Sequence, residues 1–432
     1  MYEPKMELTL EQREILEGKQ GPVMAKIMET VVMFGDVFHA PRLVKVTHDE
    51  GHLVTSFGIK MLKPLFSTMK QINDAGIEVK GKFTVDPRPI DYKNVKCNIL
   101  EKLVFSKIMY AKQDMYEEQL TKAGLVNKNG FTCASYLPEI GNTPKEGEIL
   151  SWAESSAVVF ANSVYGARCN RNSGMLELFG SILGYVPEFG LLTDEGRKAK
   201  WKVIIKTTKL PEAQILGSAI GMKVMEDVPY VIGLDKYLGN EITDDVMGYL
   251  KDFGAATASN GAVGLYHIDG LTPEAKKMGE KLIRDDAQEY VIDDEEIERV
   301  YRSYPIMWKK PEKKGNLVFI GCPHLTFQQL NSWTDKIVEG LKETGKKKVV
   351  VRTVMTTAPD IKEKFMKTPK YEELMKTGVK LSCICPLMYT NNPLTKSRRI
   401  YTSSNKLRTY SIARYAKDQE ILDFIVGRKE TK

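Results

Sequence analysis

The chain is poor in cysteine and histidine and has no long apolar run, and each shortage removes a class of protein. No segment approaches the roughly 20 consecutive apolar residues that a membrane span needs. The start, Met1 to Gln12, alternates charged and apolar residues and has no apolar stretch of the kind a signal peptide requires. A cytoplasmic protein with no membrane partner is expected. Six cysteines in 432 residues do not make a disulfide framework, so reduced thiols are expected, some of them open to metal. The five histidines, His39, His48, His52, His267 and His324, are dispersed and no H-E-x-x-H occurs, which leaves histidine no rival metal site. The phosphate-binding motifs G-x-x-x-x-G-K-[ST] and G-x-G-x-x-G and the nucleophile elbow G-x-S-x-G are missing as well. Charge is nearly balanced, with 63 basic against 56 acidic residues and a net +7. The basic residues are scattered rather than striped, which argues against nucleic acid.

What is present reads as α/β. The clearest stretch runs from 315 to 386. Strands are expected at Asn316–Ile320, Lys348–Val354 and Val379–Ile384, with helices at Thr326–Leu341 and Pro359–Met375 between them. That alternation is a βαβαβ unit with a parallel sheet. Upstream, residues 8–35 read as two helices, Trp201–Thr207 as a strand and Leu210–Met225 as a helix whose Gly217 and Gly221 allow close packing. Three regions are expected: 1–207, 208–312 and 313–432. A polar stretch from Gly270 to Glu298 lies before the last border.

Cys133, Cys322 and Cys383 each sit where a short apolar run gives way to a loop, and in an α/β sheet strand ends are where sites form. Three thiolates can hold iron and leave a position open, because thiolate is a soft anionic donor. Buried packing is the alternative for each of them. Cys383 and Cys385 are two apart, and Pro386 ends the strand, so one of the two is expected to reach the site. His324, two residues after Cys322, either lines the same pocket or caps the next helix. Ser151-Trp152-Ala153-Glu154 fits a helix capping box. Arg168 and Arg171 in the polar turn after Gly166 can bind carboxylate or phosphate, or remain solvated. The hydroxyl-rich turn Tyr401–Lys406 lies beside Arg398, Arg399 and Arg408 and can bind an anion.

These residues carry a resemblance. The stretch from Trp152-Ala153-Glu154-Ser155-Ser156 through Asn162 to Gly166-Ala167-Arg168 and Asn170-Arg171 resembles the large, catalytic subunit of the aconitase X family. Gly321-Cys322-Pro323-His324 and Leu265-Tyr266-His267 are further matches, as are Thr132-Cys133, Ser382-Cys383 and the turn with Thr402, Ser404 and Lys406. The resemblance implies an aconitase-like set of α/β domains, with parallel or mixed sheets around a central iron site. It implies Cys133, Cys322 and Cys383 as ligands of a 4Fe-4S cluster, a 2Fe-2S cluster or a single iron, with Cys385 able to exchange with Cys383. It implies dehydration of a small hydroxy acid, of the cis-3-hydroxy-L-proline or mevalonate 5-phosphate type, and a separate small swivel subunit as partner. Ser404, Lys406 and Glu154 are then the expected catalytic groups. Ser155, Ser156, Asn162, Arg168, Arg171 and His324 are the expected substrate-binding ones. Several positions depart from the family pattern, among them Asp86 in Phe83-Thr84-Val85-Asp86-Pro87 and Ala134-Ser135 after Cys133. The rival from another class is a non-catalytic iron–sulfur binding or sensor protein.

Overall fold

The structure is a computed structural model, and it describes residues 2–55, 57–95, 97–391, 394 and 398–428. Three regions of sheet and helix follow one another along the chain. The first begins with the helices Leu10–Leu16 and Pro22–Val37. Thr9 caps the former, its hydroxyl accepting from the Gln12 N–H while the Gln12 side chain accepts from the Thr9 N–H. Short strands pair here in twos: Leu43–Lys45 antiparallel with Tyr185–Pro187, and Glu50–Leu53 parallel with Lys82–Val85. The core beneath them is built from Ile27, Met28, Val32, Phe83, Leu120 and Leu183. The helical stretch that follows, between 99 and 123, is broken. A π-helical turn over Phe105–Met109 gives way to Gln113–Ala123, and Gly124 closes it in the left-handed conformation.

The second region holds a parallel four-stranded sheet in the order 267–268, 229–232, 199–205, 283–292. The strand Ala199–Ile205 thus pairs with the middle of the chain, although sequence grouped it with the first region. Its neighbour Ile283–Ile292 falls in the polar stretch that reads as surface. It is an edge strand with only Ile292 buried, so one face offers no apolar alternation to read. The helices Ala213–Val224 and Asp244–Asn260 lie very close together. A Cβ on Gly217 would come within 2.4 Å of the Phe253 carbonyl oxygen, and one on Gly221 within 2.6 Å of that of Thr257. Asp244–Asn260 also covers the small-residue helix Ser155–Val164, all of whose residues from Ser156 on are buried.

The third region is the expected parallel sheet, five strands in the order 380–382, 352–357, 317–325, 400–402, 414–415. The helix expected over Pro359–Met375 is two, Pro359–Phe365 and Pro369–Lys376, because Pro369 starts a new one. From the strand Leu317–Leu325 the chain adds strands first on one side and then on the other. The order therefore reverses between Leu317–Leu325 and Ile400–Thr402, and open parallel sheets bind ligands at such a reversal, beyond the carboxyl ends of the strands. Gly321 lies there at φ 104°, where a Cβ would approach the Thr356 carbonyl oxygen to 2.5 Å. Among the described residues no helix is long and apolar enough to cross a membrane.

Candidate active site

A cavity of about 430 Å³ opens at this reversal, lined by Asp86, Cys133, Glu154, Arg171, Cys322, Cys385 and Lys406 among others. Its apolar wall is Val54, Phe57, Val158, Leu387 and Met388. Each region contributes from the end of an element. Asp86 follows the strand Lys82–Val85 and is fixed there by its N–H to the Leu53 carbonyl (2.9 Å). Cys322 lies on Leu317–Leu325, and Lys406 opens the helix Asn405–Tyr410.

The thiols come from three segments. Cys133 follows Thr132, whose N–H donates to the Val85 carbonyl (2.7 Å). Cys385 caps the helix Pro386–Thr390, and its N–H donates to the Arg88 carbonyl (2.8 Å). Cys383 is not among the lining residues. The strand ends at Ser382, whose hydroxyl donates to Asp91 (2.8 Å). Past that point the alternation of a strand no longer holds, and Cys385 takes the inward place. Burial pushes all three lining thiols up, and the charges of Cys133 and Cys385 each couple to Cys322. Among the described residues no three His, Cys, Asp or Glu side chains already form a group able to hold a metal ion.

His324 joins these segments rather than facing the cavity. It is fully buried. One ring nitrogen meets the Thr132 hydroxyl (3.2 Å) and the other the Ile384 carbonyl (3.2 Å), and its backbone N–H donates to the Cys133 sulfur (3.4 Å). Burial lowers its pKa to about 4, so the ring is neutral.

Glu154 is the N-cap of the helix Ser155–Val164, a place sequence gave to Ser151. Its carboxylate accepts from the Ala157 N–H (2.9 Å) and the Ser156 hydroxyl, and the Lys406 ammonium donates to it. Burial alone would raise the Glu154 pKa, but Lys406 outweighs it and the net shift is downward. Burial alone would lower that of Lys406, but Glu154 and the thiols carry it upward. The pair is therefore ionic. Ser151 instead donates to Glu177 (2.8 Å).

The other expected residues divide. Ser155 and Arg171 line the cavity, and Ser156 stands behind it on Glu154 and Lys406. Among the described residues Arg171 has no carboxylate partner, and burial lowers its pKa. Arg168 points elsewhere, donating to Asp194 and to the Leu192 carbonyl (2.9 Å). Asn162 is a core strut, its amide bonded to Cys169 and Gly264. The Ser404 hydroxyl donates to the Cys322 carbonyl and accepts from the Leu407 N–H (3.1 Å). It lines a second cavity behind the strand, with Glu212 and Asp418. Two polar residues of the site that sequence did not single out as ligands are His52 and Asp86, whose Nε2 and Oδ1 are buried without hydrogen bonds and lie 3.7 Å apart.

Three α/β regions meeting at a thiol-lined crevice define the class, an aconitase-like α/β protein. Comparison with known proteins gives the family: residues 5–195, 200–302 and 315–422 match the aconitase X first, second and third domains, and the chain belongs to the aconitase X family. It is 32% identical to the phosphomevalonate dehydratase large subunit of Thermococcus kodakarensis, over 79% of this chain and 78% of that one. The Methanosarcina mazei phosphomevalonate dehydratase large subunit is 30% identical over 91% and 88%. Cis-3-hydroxy-L-proline dehydratase of Hypocrea jecorina is 30% identical over 65% of this chain and 46% of its own. The crystal structure of Thermococcus kodakaraensis aconitase X in its holo form superposes with a TM-score of 0.78 at 27% identity, covering 96% of this chain and 99% of that one.

Proposed function

We propose that this chain is the large, catalytic subunit of an iron-dependent hydro-lyase that removes water from a hydroxy acid of the phosphomevalonate type, together with a separate small subunit. One observation carries the reading: Cys133, Cys322 and Cys385, from three separate segments, line one cavity with Arg171, which has no carboxylate ion-pair partner among the described residues. The dehydratase and large-subunit names of the relatives support the reaction class and the partner.

The residues fit an iron centre by their chemistry. Thiolates are the usual ligands of such centres, and the three thiols are electrostatic neighbours inside one buried cavity. Burial raises their pKa values even beside the Lys406 ammonium, and a bound metal cation reverses that. All six cysteines are free, which suits a reducing cytoplasm. Bound there, iron supplies Lewis acidity that makes the hydroxyl of a substrate a better leaving group. The rest falls to the chain. Arg171 takes the anionic end of the substrate in a charge-assisted hydrogen bond. Lys406 and Glu154 hold each other and present fixed charge to the cavity floor. Elimination needs a proton acceptor within reach of the neighbouring carbon. Glu154 lines the cavity and stays ionised, whereas the Ser404 proton is committed to the Cys322 carbonyl, so Glu154 is the acceptor this geometry favours.

The test is anaerobic purification with the co-expressed small subunit, iron and sulfide analysis, and assays on phosphomevalonate and cis-3-hydroxy-L-proline. Bound iron with dehydration of phosphomevalonate is expected. Turnover of cis-3-hydroxy-L-proline alone would move the substrate. Absence of iron, or no dehydration of either compound, would overturn the reading.

A further inference from the structure

Two polar atoms of the site are left with nothing to bond. Among the described residues His52 Nε2 and Asp86 Oδ1, both buried, have no hydrogen-bond partner, and they lie 3.7 Å from each other. That separation is too long for a hydrogen bond and too short for a bridging water. Leaving such atoms unpaired is costly, and a folded protein keeps them where something else completes them. The His52 side is rigidly built. Its ring packs edge-on against Trp152. Asn142 donates to the Thr84 hydroxyl (2.9 Å) and to the Gly51 carbonyl (3.0 Å). The Thr84 proton then has two acceptors, His52 Nδ1 at 2.9 Å and the Gly51 carbonyl at 3.5 Å. The shorter places the ring proton on Nε2, directed at Asp86. The Asp86 side is different. Its Oδ1 is sealed against His52, and the 13% of the side chain that is exposed belongs to the cavity lining. No described residue donates to the Asp86 carboxyl, and it does not pair with Arg171.

We infer that Asp86, steadied by His52, is the residue that receives the hydroxyl group of the substrate, while Arg171 takes the anionic end. This rests on the hydro-lyase reading above. A carboxyl group gives a hydroxyl an acceptor and gives phosphate or carboxylate no positive charge, whereas Arg171 gives an anion one, so the cavity has one end for each and fixes the direction of a hydroxy acid within it. His52 touches no substrate and is a positioning residue.

The test compares phosphomevalonate with its 3-deoxy analogue, which keeps both anionic groups, on the iron-loaded full chain with its small subunit. For Asp86→Leu, which keeps the side chain's size but removes the acceptor, we expect the KM of phosphomevalonate to rise about 10- to 100-fold, the size of a hydrogen-bonding group left unpaired in a buried site. The Kd of the 3-deoxy analogue, measured by calorimetry, should change less than about threefold, with iron content and melting temperature kept. Arg171→Met should weaken both ligands alike. His52→Gln provides a second variant, with the same selective loss at smaller size. Equal weakening of both ligands by Asp86→Leu, or of neither, would overturn the inference while leaving the hydro-lyase reading intact. If the unmodified protein neither dehydrates phosphomevalonate nor binds the analogue, the hydro-lyase reading itself fails and takes this inference with it.

Discussion

The ammonium of Lys406 donates to the carboxylate of Glu154 across 252 positions of the chain. The bond ties the turn after the strand Ile400–Thr402 to the start of the helix Ser155–Val164, and so fixes the third region against the first at the cavity. Glu154 is held at φ 154°, a conformation that costs a non-glycine residue about 1–3 kcal/mol. The surrounding bonds, to Lys406, Ser156 and Ala157, keep it there.

Replacing Lys406 by Met leaves that carboxylate buried and unpaired. Breaking one side of a buried pair costs about 3–5 kcal/mol, so Lys406→Met should lower the urea midpoint markedly. The double variant Lys406→Met with Glu154→Gln removes the stranded charge and should recover much of the loss. A double variant no more stable than the single one would show that the pair is not what holds the two regions together.

Cys383 and Cys385 are two residues apart, and the structure turns only Cys385 into the cavity. Cys385→Ala should abolish bound iron, measured per chain after anaerobic purification. Cys383→Ala should keep it. The reverse result would place the ligand on Cys383.

His324 spans the backbone beside two of the three thiols. His324→Phe fills the space but strands the Thr132 hydroxyl and the Ile384 carbonyl, at a cost of about 2–4 kcal/mol for the two groups. Thermal and urea unfolding should register that loss. Burial lowers the ring's pKa from 6.5 to about 4, so near pH 6 the unfolded chain binds a proton that the folded chain excludes, and the loss should be somewhat smaller at pH 6 than at pH 8. A loss confined to acid pH would mean that the imidazolium, not the neutral ring, makes these bonds.

Behind the strand, Glu212 lies buried against Tyr415 and Asp418, accepting from the Tyr415 hydroxyl (2.9 Å) and the Asp418 N–H (3.1 Å). Burial first, and then the charge of Asp418, push its carboxyl up to about 7. The folded state therefore keeps a proton that the unfolded chain releases at its ordinary value near 4.5. Between those two values the folded state binds more protons, so stability falls as pH rises from about 4.5 to 7. Glu212→Gln removes this slope. It should match the parent near pH 4.5 and exceed it by about 1–3 kcal/mol at pH 8. Equal stability of the two proteins at pH 8 would contradict the raised pKa.

Three strands of the third sheet were legible in the sequence because they are short apolar runs punctuated by turns, whereas Ile400–Thr402, read as part of a turn, and Arg414–Tyr415 are too short to show a pattern. The strand Ile283–Ile292 was not legible either, because an edge strand with a polar face has no period to read. At the site, Cys133, Cys322 and Lys406 were marked by residue type and motif. Local spacing could not decide between Cys383 and Cys385, since the backbone bond from Cys385 to Arg88 comes from 297 positions away. The capping motif at Ser151 named the wrong cap for the same reason: Glu177, from another helix, takes the Ser151 hydroxyl. Asp86 was marked in the sequence only as a departure from the family pattern and His52 gave no signal, because what distinguishes the two is the partner that each lacks among the described residues.

Arg168 and Arg171 show the same limit and allow a direct test. Three positions apart in one turn, they look equivalent in sequence. In the structure Arg168 is spent on Asp194 and the Leu192 carbonyl, and Arg171 lines the cavity with no carboxylate partner among the described residues. A guanidinium–anion hydrogen bond inside a cavity is worth about 1.5–3 kcal/mol. Arg171→Met should therefore raise the KM for phosphomevalonate about 10- to 100-fold. The Arg168–Asp194 pair is largely solvated, with the Asp194 side chain 86% exposed, and such pairs contribute about 0–1 kcal/mol. Arg168→Met should leave KM within about threefold and the melting temperature little changed. If instead Arg168→Met raises KM as much as Arg171→Met does, the turn moves on binding and both guanidinium groups reach the substrate.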